Sequence, residues 1–358
     1  MLELLPRIPS SSLAAVFEQP GKPVAIRDLP IPQLAAHEAL VKIECCTICG
    51  SDLHTVKGTR KEKSPSILGH EAIGRIVEFG SPVLDVGGEK LRAGDRVTWS
   101  ISCSCGQCDR CLAGLPQKCR SLAKYGHEVA EGRLALSGGL AQYVVLRSGS
   151  SIVKVGDEIS ADVLCPANCA TATVACAIRY AGTVANQRVL IFGAGMLGLT
   201  AAAMVDSLHA AEIVVVDTLA SRLELARQFG ATRTLQATGV SEIAELFHIV
   251  LEFSGSSDSV SAACALSDIG GRVILVGTVM PSPSVAVDPE MIVRRCLSIR
   301  GVHNYAPIDL VTAIQFLSGA GQKYPFAPLI ARHFTLEEIN DAVEYAIAER
   351  PVRVAVYP

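Results

Sequence analysis

The stretch RVLIFGAGMLGL, residues 188–199, joins a run of buried-strand residues directly to a glycine pattern. Its glycines are Gly193, Gly195 and Gly198, in the order G-x-G-x-x-G, and an alanine-rich helical stretch follows them. The run EIVVVD then ends in Asp217, about twenty residues after the glycines. A strand, a glycine turn, a helix, a second strand and a terminal acid in this order predict a βαβ unit of a dinucleotide-binding sheet.

Each residue of this pattern has an expected role. The first glycine makes the turn, the second lets a pyrophosphate approach the N–H groups at the helix N-terminus, and the third allows close helix–strand packing. Leu197 lies inside the same turn. Asp217 is expected to bond the adenosine ribose hydroxyls and to repel a 2′-phosphate, which favours NAD over NADP. Arg222 lies nearby, and its positive charge softens that preference.

The remaining chain shows two textures, which together predict an α/β protein of two domains. Strand-like runs ending in glycine continue at HIVLEFSG (248–255) and GGRVILVG (270–277), with another candidate at LSIRGV (297–302), so a parallel, doubly wound sheet is expected. Before residue 160, short segments such as ALVKIECC and DRVTWSI are separated by Gly, Pro and Asp, which predicts a mainly antiparallel, barrel-like domain. Towards the other end, helices are expected at 309–317 and 335–349, followed by the strand VRVAVYP.

Composition excludes several classes of function. The 358 residues are 49% hydrophobic and 19% charged, with a net charge of -3, so nothing suggests a nucleic-acid partner. No apolar run reaches the roughly 18 residues that a membrane span needs. The first residues lack the basic start and apolar core of a signal peptide. We therefore expect a cytoplasmic protein, and in that reducing compartment clustered cysteines indicate metal or redox chemistry.

Five cysteines crowd the stretch CSCGQCDRCLAGLPQKC, residues 103–119. Four of them follow the spacing Cys105-x2-Cys108-x2-Cys111-x7-Cys119, which is typical of a tetrahedral zinc site with four thiolate ligands. Cys103 is left over. A site closed by four thiolates has no position for substrate, so we expect it to be structural and the chemistry to lie elsewhere.

A second, scattered group of metal ligands lies in TICGSDLH (47–54) and LGHEAIG (68–74). Cys49, His70 and Glu71 form a mixed thiolate, imidazole and carboxylate set, which suits a catalytic zinc. A further ligand is expected in PANCATATV, but spacing alone leaves Cys169 and Cys165 as competing thiols.

Ser51 and His54 are candidates for moving a proton. A hydroxyl two residues from a metal thiolate can accept a proton from a metal-bound alcohol, and a nearby histidine can pass it to solvent. The alternative is a turn serine and a capping histidine.

These motifs, in this order, resemble the zinc-dependent medium-chain alcohol dehydrogenases over almost the full length of the chain. The resemblance rests on CGSDLH, GHEAIG, the four-cysteine loop, CATATV, GAGMLG, EIVVVD and VRVAV. It implies a GroES-like catalytic domain at 1–165 with a zinc lobe near 100–120, a Rossmann domain at 166–305, and a segment 306–358 that returns to the first domain. It also implies two Zn(II) per chain, NAD, and a homodimer or homotetramer.

The resemblance also implies roles for single residues. Cys169 is preferred to Cys165 as the third zinc ligand beside Cys49 and His70, and Glu71 is the carboxylate that can swing onto the metal. Asp52 orients His70. Ser51 and His54 match proton-relay positions, Thr173 lies beside the nicotinamide, and Arg353 contacts the pyrophosphate. The implied reaction is reversible oxidation of an alcohol, with zinc as Lewis acid and hydride passing to the nicotinamide.

The substrate is suggested by two segments. Lys57, Arg60, Lys61 and Lys63 in VKGTRKEKSPSILGH form either a solvated turn or an anion site. GLPQKCRSLAKYGHE, with PANCATATVA, resembles the subgroup associated with bacterial phosphonate metabolism, which suggests a small hydroxyalkylphosphonate or its aldehyde. His127 in that stretch either lines the cleft or caps a turn. Rival hypotheses are a polyol, threonine or general primary-alcohol dehydrogenase, and a non-enzymatic NAD-binding scaffold, against which the intact motifs argue.

Overall fold

The computed structural model describes residues 8–358, and the chain forms two compact units. The first ends at Cys169 and resumes at Ala327, and the second is Ala170–Phe326. The first unit is therefore closed by residues that come after the second unit in the chain. The segment expected to return to the first domain is divided, because residues 306–326 belong to the second unit and only the residues from Ala327 belong to the first.

The strands, in chain order, are β1 Ser11–Phe17, β2 Ala25–Pro30, β3 Ala39–Thr47, β4 Ser66–Ile67, β5 Glu71–Phe79, β6 Arg96–Cys103, β7 Ala123–Lys124, β8 Tyr143–Leu146, β9 Ser150–Lys154, β10 Arg188–Phe192, β11 Glu212–Asp217, β12 Arg233–Gln236, β13 Phe247–Glu252, β14 Ser267–Leu275, β15 Ser298–Gly301, β16 Ile330–Thr335 and β17 Arg353–Tyr357. The α-helices are α1 Gly50–Val56, α2 Asp109–Leu112, α3 Ala161–Leu164, α4 Ala170–Ala181, α5 Met196–Ser207, α6 Ala220–Gln228, α7 Ser257–Ala265, α8 Pro289–Arg295, α9 Pro307–Ser318 and α10 Ile339–Glu349.

The first unit is mainly antiparallel, as its broken texture predicted. One sheet has the order β2-β1-β4, and the larger one has the order β16-β17-β3-β5-β6-β7, with β8 beside β3 and β9 beside β6. Only the β16–β17 pair in it is parallel. Strands β3 and β6 are buried over almost their whole length, and in β6 the apolar residues alternate with buried Arg, Thr and Ser. The two strands contribute Leu40 and Trp99 to the unit's core.

The second unit is the doubly wound sheet predicted from the glycine motif. Its strand order is β12-β11-β10-β13-β14-β15, and every neighbouring pair is parallel. Strand order reverses between β10 and β13, next to the glycine turn that follows β10. Ligands of such sheets bind in the crevice outside the carboxyl ends of the strands at this reversal, so the topology positions the predicted nucleotide site.

Two helix predictions can be compared with the structure. The helix expected at 309–317 is α9 and starts two residues earlier. The helix expected at 335–349 begins only at Ile339, because Thr335 ends β16 and its N–H donates to the Glu338 carboxylate at 2.8 Å. Within residues 8–358, no single helix is long and apolar enough to cross a membrane, and the segments Ala161–Asn168 and Ala170–Ala181 pass that test only when they are taken together.

Candidate metal centres and nucleotide site

Three strands of the first unit meet at Thr47, and this meeting point assembles the candidate catalytic centre. Antiparallel pairing sets Thr47 opposite Glu71 of β5 on one side and opposite Ala355 of β17 on the other. Cys49 lies two residues after β3, His70 directly precedes β5, and Arg353 begins β17. The register of the sheet therefore brings together side chains from three distant parts of the chain.

Cys49, His70, Glu71 and Cys169 form one candidate metal centre, which we call the mixed cluster. One ligand atom from each lies within 4.8 Å of all the others. His70 and Glu71 are buried, while Cys49 and Cys169 are half-buried. Two thiols, an imidazole and a carboxyl group at these distances form a donor set that fits zinc.

Asn168 holds the last ligand of the mixed cluster in place, and the sequence did not reveal it. Its amide nitrogen donates to the backbone oxygens of His70 and Trp99, each at 2.9 Å. The turn Cys165–Asn168 is thereby tied to the β5 side of the sheet just before Cys169. The rival thiol, Cys165, points to the backbone oxygens of Glu71 and Cys45 at 3.0 and 3.3 Å and is not part of the cluster.

Asp52 supports both Cys49 and His70. Its carboxylate accepts the backbone N–H of Cys49 at 2.9 Å, and its other oxygen lies 3.4 Å from His70 Nδ1. Burial works to lower the pKa of His70, but the charge and hydrogen bond of Asp52 outweigh burial and raise that pKa to about 10. A carboxylate behind a ligating histidine fixes the ring and increases its basicity towards a metal.

Glu71 is paired with Arg353 inside the mixed cluster. The guanidinium donates from Nε to Glu71 Oε2 at 2.8 Å and from Nη2 to Oε1 at 2.9 Å, and the Thr47 hydroxyl donates to Oε2 at 2.7 Å. Arg353 Nη2 also lies 3.6 Å from Cys49 Sγ. Burial raises the pKa of Glu71, against the opposing charge of Arg353. The structure thus gives Arg353 a role next to the metal ligands that the sequence analysis did not foresee, and its contact with a pyrophosphate stays a prediction.

The thiols of Cys49 and Cys169 are coupled by a hydrogen bond. The contact with Cys169 lowers the pKa of Cys49 well below its ordinary value, and the same contact raises the pKa of Cys169 well above it. Cys49 is therefore the thiol of the pair that loses its proton more readily. A bound zinc ion would favour the thiolate form of both, because cysteine binds zinc as thiolate.

Ser51 and His54 lie on α1, one turn apart. Ser51 Oγ is 3.5 Å from His70 Nε2, so its hydroxyl borders the mixed cluster. His54 is exposed, and its Nδ1 is 3.0 Å from Thr59 Oγ1. The structure brings Ser51 to the candidate centre and leaves His54 at the surface, and the relay through them stays a prediction.

Cys105, Cys108, Cys111 and Cys119 form the second candidate centre, which we call the cysteine cluster. Sulfur–sulfur distances are 3.4 Å for Cys105–Cys119, 3.6 Å for Cys108–Cys111 and 3.9 Å for Cys108–Cys119. Four sulfurs bonded to zinc at about 2.3 Å in a tetrahedron lie about 3.8 Å apart. The spacing therefore fits zinc and is far too long for disulfides.

Local backbone geometry prepares this second cluster. Gly106 and Gly114 have φ values of +71° and +76°, which L-residues rarely adopt, so both turns require glycine. Backbone N–H groups of Arg120 and Cys111 lower the pKa of Cys108 to about 6. Cys103, the fifth sulfur, donates instead to the Ser148 carbonyl at 3.0 Å.

The glycine turn of the second unit has room for a ligand at one position. A Cβ on Gly198 would fall 1.7 Å from the Gly193 carbonyl, and Gly193 has a φ of +93°, so the fold itself requires these two glycines. A Cβ on Gly195 would meet nothing closer than Arg222 at 3.9 Å. Gly195 precedes α5 directly, so its missing side chain leaves space at a helix N-terminus, where a pyrophosphate fits.

Asp217 ends β11 beside this turn. Its carboxylate accepts the N–H of Ala194 at 2.6 Å and that of Leu219 at 2.9 Å, and Arg222 Nη1 reaches the Ala194 carbonyl at 3.4 Å. The structure thus places Asp217 and Arg222 at the glycine turn, where an adenosine ribose would lie. Leu197 lies in the first turn of α5, and Thr173 is a buried residue of α4.

Comparison with known proteins assigns the class of each part of the chain. Residues 35–157 match the alcohol dehydrogenase GroES-like domain, and residues 197–319 match the zinc-binding dehydrogenase domain. The first is the mainly antiparallel unit and the second is the Rossmann-like unit. The chain belongs to the zinc-dependent medium-chain alcohol dehydrogenase family.

Individual relatives agree with this assignment. L-Threonine 3-dehydrogenase from Shewanella baltica is 28% identical over 335 residues, covering 90% of this chain and 93% of the relative. The structure of an alcohol dehydrogenase from Thermotoga maritima is 28% identical, with a TM-score of 0.91 and coverage of 97% and 99%. A zinc-binding dehydrogenase structure from Sinorhizobium meliloti, bound to NADP, is 26% identical, with a TM-score of 0.85 and coverage of 98% and 100%.

Proposed function

We propose that this chain is a zinc-dependent, NAD(H)-dependent alcohol dehydrogenase that transfers hydride reversibly between a small alcohol and its aldehyde or ketone. The observation that carries the proposal is the mixed cluster. Cys49, His70 and Cys169 supply three ligands, and Glu71 lies in the cluster but is bonded to Arg353. Three protein ligands are typical of catalytic zinc, whereas the four thiols of the cysteine cluster are typical of structural zinc.

Each residue in or next to the mixed cluster has a separate role in the proposed reaction. When bound, zinc supplies Lewis-acid charge at the alcohol oxygen, and NAD supplies the hydride acceptor. Asp52 fixes the ring of His70 for binding, and Arg353 holds the Glu71 carboxylate until ligands exchange. The Ser51 hydroxyl would accept the alcohol proton while it gives up its own, and that proton would reach solvent by way of a cofactor ribose hydroxyl and the exposed His54.

The cofactor proposal rests on the glycine turn. Backbone groups of Gly193, Gly195, Leu197 and Gly198 would bind the pyrophosphate, and Asp217 the ribose hydroxyls. We place Thr173 beside the nicotinamide and Arg353 at the pyrophosphate. The NADP bound by the Sinorhizobium meliloti relative makes NADP the alternative to test, since Arg222 lies close enough to the turn to meet a 2′-phosphate.

Within small alcohols, we propose a hydroxyalkylphosphonate as substrate, from the basic segment after Val56 and the KYGHE stretch. L-Threonine is the second candidate, because several L-threonine 3-dehydrogenases cover about nine-tenths of this chain, including that of Legionella pneumophila at 27% identity over 345 residues and 93% of the chain. Both candidates are small alcohols that carry an anionic group.

The test is a screen that follows NADH absorbance with the zinc-loaded protein. It compares 2-hydroxyethylphosphonate, L-threonine, a polyol such as sorbitol, and neutral primary alcohols, each with NAD and with NADP. We expect NAD-linked turnover with at least one alcohol and its loss in Cys49→Ser. Absence of turnover in a protein with about two zinc ions per chain would contradict the proposed function.

We further propose a cytoplasmic homodimer or homotetramer. Light scattering of the purified protein distinguishes these two states, and a monomer would contradict the proposal.

A further inference from the structure

A turn with the sequence KYGHE, Lys124 to Glu128, lies directly against the mixed cluster. A Cβ on Gly126 would fall 2.8 Å from the Gly69 carbonyl oxygen and 3.2 Å from His70 Cβ. The ring of His127 lies 5.3 Å from that of His70. This turn is therefore part of the wall next to the zinc ligands, although none of its residues has a role in the proposed reaction.

The basic segment of residues 57–63 is fastened to this turn. Lys63 Nζ pairs with Glu128 Oε2 at 2.6 Å, and Glu62 Oε1 lies 3.1 Å from His127 Nδ1. The same Glu62 oxygen pairs with Arg60 Nε at 2.6 Å. Two stretches that are 60 residues apart thus form one surface, which we call the basic rim (residues 60–63 and 124–128).

Both carboxylates of the basic rim already have cationic partners. Glu62 is paired with Arg60 and Glu128 with Lys63, and neither carboxylate forms an ion pair with Lys124. Among residues 8–358, the structure gives the Lys124 ammonium no hydrogen bond or ion pair, although its backbone N–H donates to Glu128 at 3.0 Å. Lys124 is half-buried, so water cannot fully replace a counter-ion.

The charges around Lys124 are of both signs. Burial has the largest effect and lowers the pKa of Lys124, as does the charge of Arg60, while Cys169 and then Glu62 raise it. The pKa of Lys124 nevertheless stays below its ordinary value, so the neighbouring anionic groups do not fully offset its burial. An anionic ligand would supply the charge that is missing.

His127 adds a second unsatisfied group to the basic rim. It is 6% exposed, and burial lowers its pKa to about 4, so the imidazole is neutral near neutral pH. In the described part of the chain, its Nε2 has no hydrogen-bond partner. A buried ring nitrogen without a partner is rare in folded proteins and indicates that a ligand or water completes it.

We propose that Lys124 binds an anionic group of the alcohol substrate, a carboxylate, phosphonate or phosphate, and so selects anionic alcohols over neutral ones. That the bound molecule is a substrate rests on the proposed function. That it carries an anionic group rests on the basic rim. The Lys124 ammonium has no ion pair within the described residues, and Lys124 belongs to the turn whose Gly126 and His127 lie against His70. An anion held there would be close to the metal ligands that would hold the reacting end of the same molecule.

The experiment measures anion binding without turnover. Methylphosphonate, acetate and neutral ethanol are titrated by calorimetry into the zinc-loaded full chain and into Lys124→Gln, Lys124→Arg and Lys90→Gln. Lys90 is an exposed lysine outside the basic rim and is the matched control. Circular dichroism and zinc content confirm that each variant is folded and loaded.

We expect Lys124→Gln to weaken binding of the preferred anion by about 10- to 100-fold, which is the range for a hydrogen bond to a charged group. Lys124→Arg should keep most of the affinity and Lys90→Gln all of it. If methylphosphonate binds more tightly than acetate, the anionic group of the substrate is a phosphonate or phosphate. If acetate binds more tightly, the group is a carboxylate. Unchanged affinity in Lys124→Gln, or no saturable binding of either anion to the unmodified chain, overturns the assignment.

The outcome is independent of the proposed function. If no alcohol is turned over while Lys124→Gln still loses anion binding, the dehydrogenase proposal fails and the anion site stands. If alcohols are oxidised but the anions do not bind, the dehydrogenase proposal stands and the role of Lys124 is wrong.

Discussion

The mixed cluster and the cysteine cluster lie in the same unit, but the chain builds them in opposite ways. The four cysteines of the second lie within residues 105–119, on short turns that glycines make possible. The ligands of the first come from the ends of β3 and β4, the start of β5 and a turn before α4. The cysteine cluster is thus formed by residues close together in the chain, whereas the mixed cluster depends on the register of a sheet.

Each cluster also has an arginine nearby that is bonded twice to a carboxylate, and these two pairs differ in environment. Arg353 and Glu71 are buried, at 8% and 0% exposure. Arg120 and Asp109 are exposed and are joined at 2.6 and 2.7 Å. The same chemical pair is therefore expected to matter for stability in one cluster and hardly at all in the other.

The largest expected effect is on turnover. Cys49→Ser removes a ligand of the mixed cluster, and activity should fall more than about 100-fold, since even groups that only support metal ligands typically cost 10- to 100-fold. Zinc content should drop from two ions per chain towards one, while circular dichroism stays unchanged. Full activity in this variant would show that the mixed cluster is not the catalytic centre.

Cys111→Ser tests the opposite half of the comparison. Loss of a thiolate from the cysteine cluster should lower the free energy of unfolding by roughly 3 kcal/mol or more, because structural zinc contributes its binding energy to folding. Denaturant titration measures this change, and turnover per folded, catalytically loaded chain should stay close to normal. If turnover falls while the free energy of unfolding is unchanged, the cysteine cluster acts in the reaction rather than in folding, and the contrast between the two clusters is wrong.

Arg353→Met compares the two arginine pairs. It leaves the Glu71 carboxylate buried without its partner, so stability should fall by about 3–5 kcal/mol. Arg120→Met is the matched control at the exposed pair, and we expect no measurable change in the same denaturant titration. Equal losses in the two variants would show that burial does not separate the pairs.

The smallest effect is expected outside both clusters. Asp217→Ala should reduce the ratio of NAD to NADP efficiency about 10-fold, because a charged partner of the ribose hydroxyls is lost. Steady-state kinetics with both cofactors measures the ratio, and zinc content should remain at two ions per chain. A changed zinc content would mean that the nucleotide site and the metal clusters are not independent.

The fold and the cysteine cluster could be predicted from the sequence, because both depend on residues that are close together in the chain. The glycine turn, the strand before it and the acid after it lie within 30 residues, and the four cysteines within 15. Domain texture likewise follows from short stretches. The predicted start of α10 was wrong by four residues. The hydrogen bond between the Thr335 N–H and the Glu338 carboxylate closes the turn before the helix, and Thr335 stays at the end of a strand.

The mixed cluster could be predicted only in part, because its residues are far apart in the chain. Cys49, His70 and Glu71 followed from their residue types, but spacing alone left Cys165 and Cys169 equivalent. The turn before Cys169 separates them, since it directs Cys165 to backbone oxygens of two strands. The pairing of Arg353 with Glu71 depends on the β17–β3 register, and the contact of the KYGHE turn with His70 depends on Gly126, and neither is a local property of the sequence.

The position of Arg353 has a consequence for the order in which the molecule matures. Arg353 is separated from Cys49 by 304 positions and from Glu71 by 282. Synthesis proceeds from the N-terminus, and domains generally fold as units while the chain emerges. The cysteine cluster can therefore take up its ion early, whereas Glu71 gains its counter-charge only after the whole second unit has been made. The mixed cluster is completed last, once the second unit already exists.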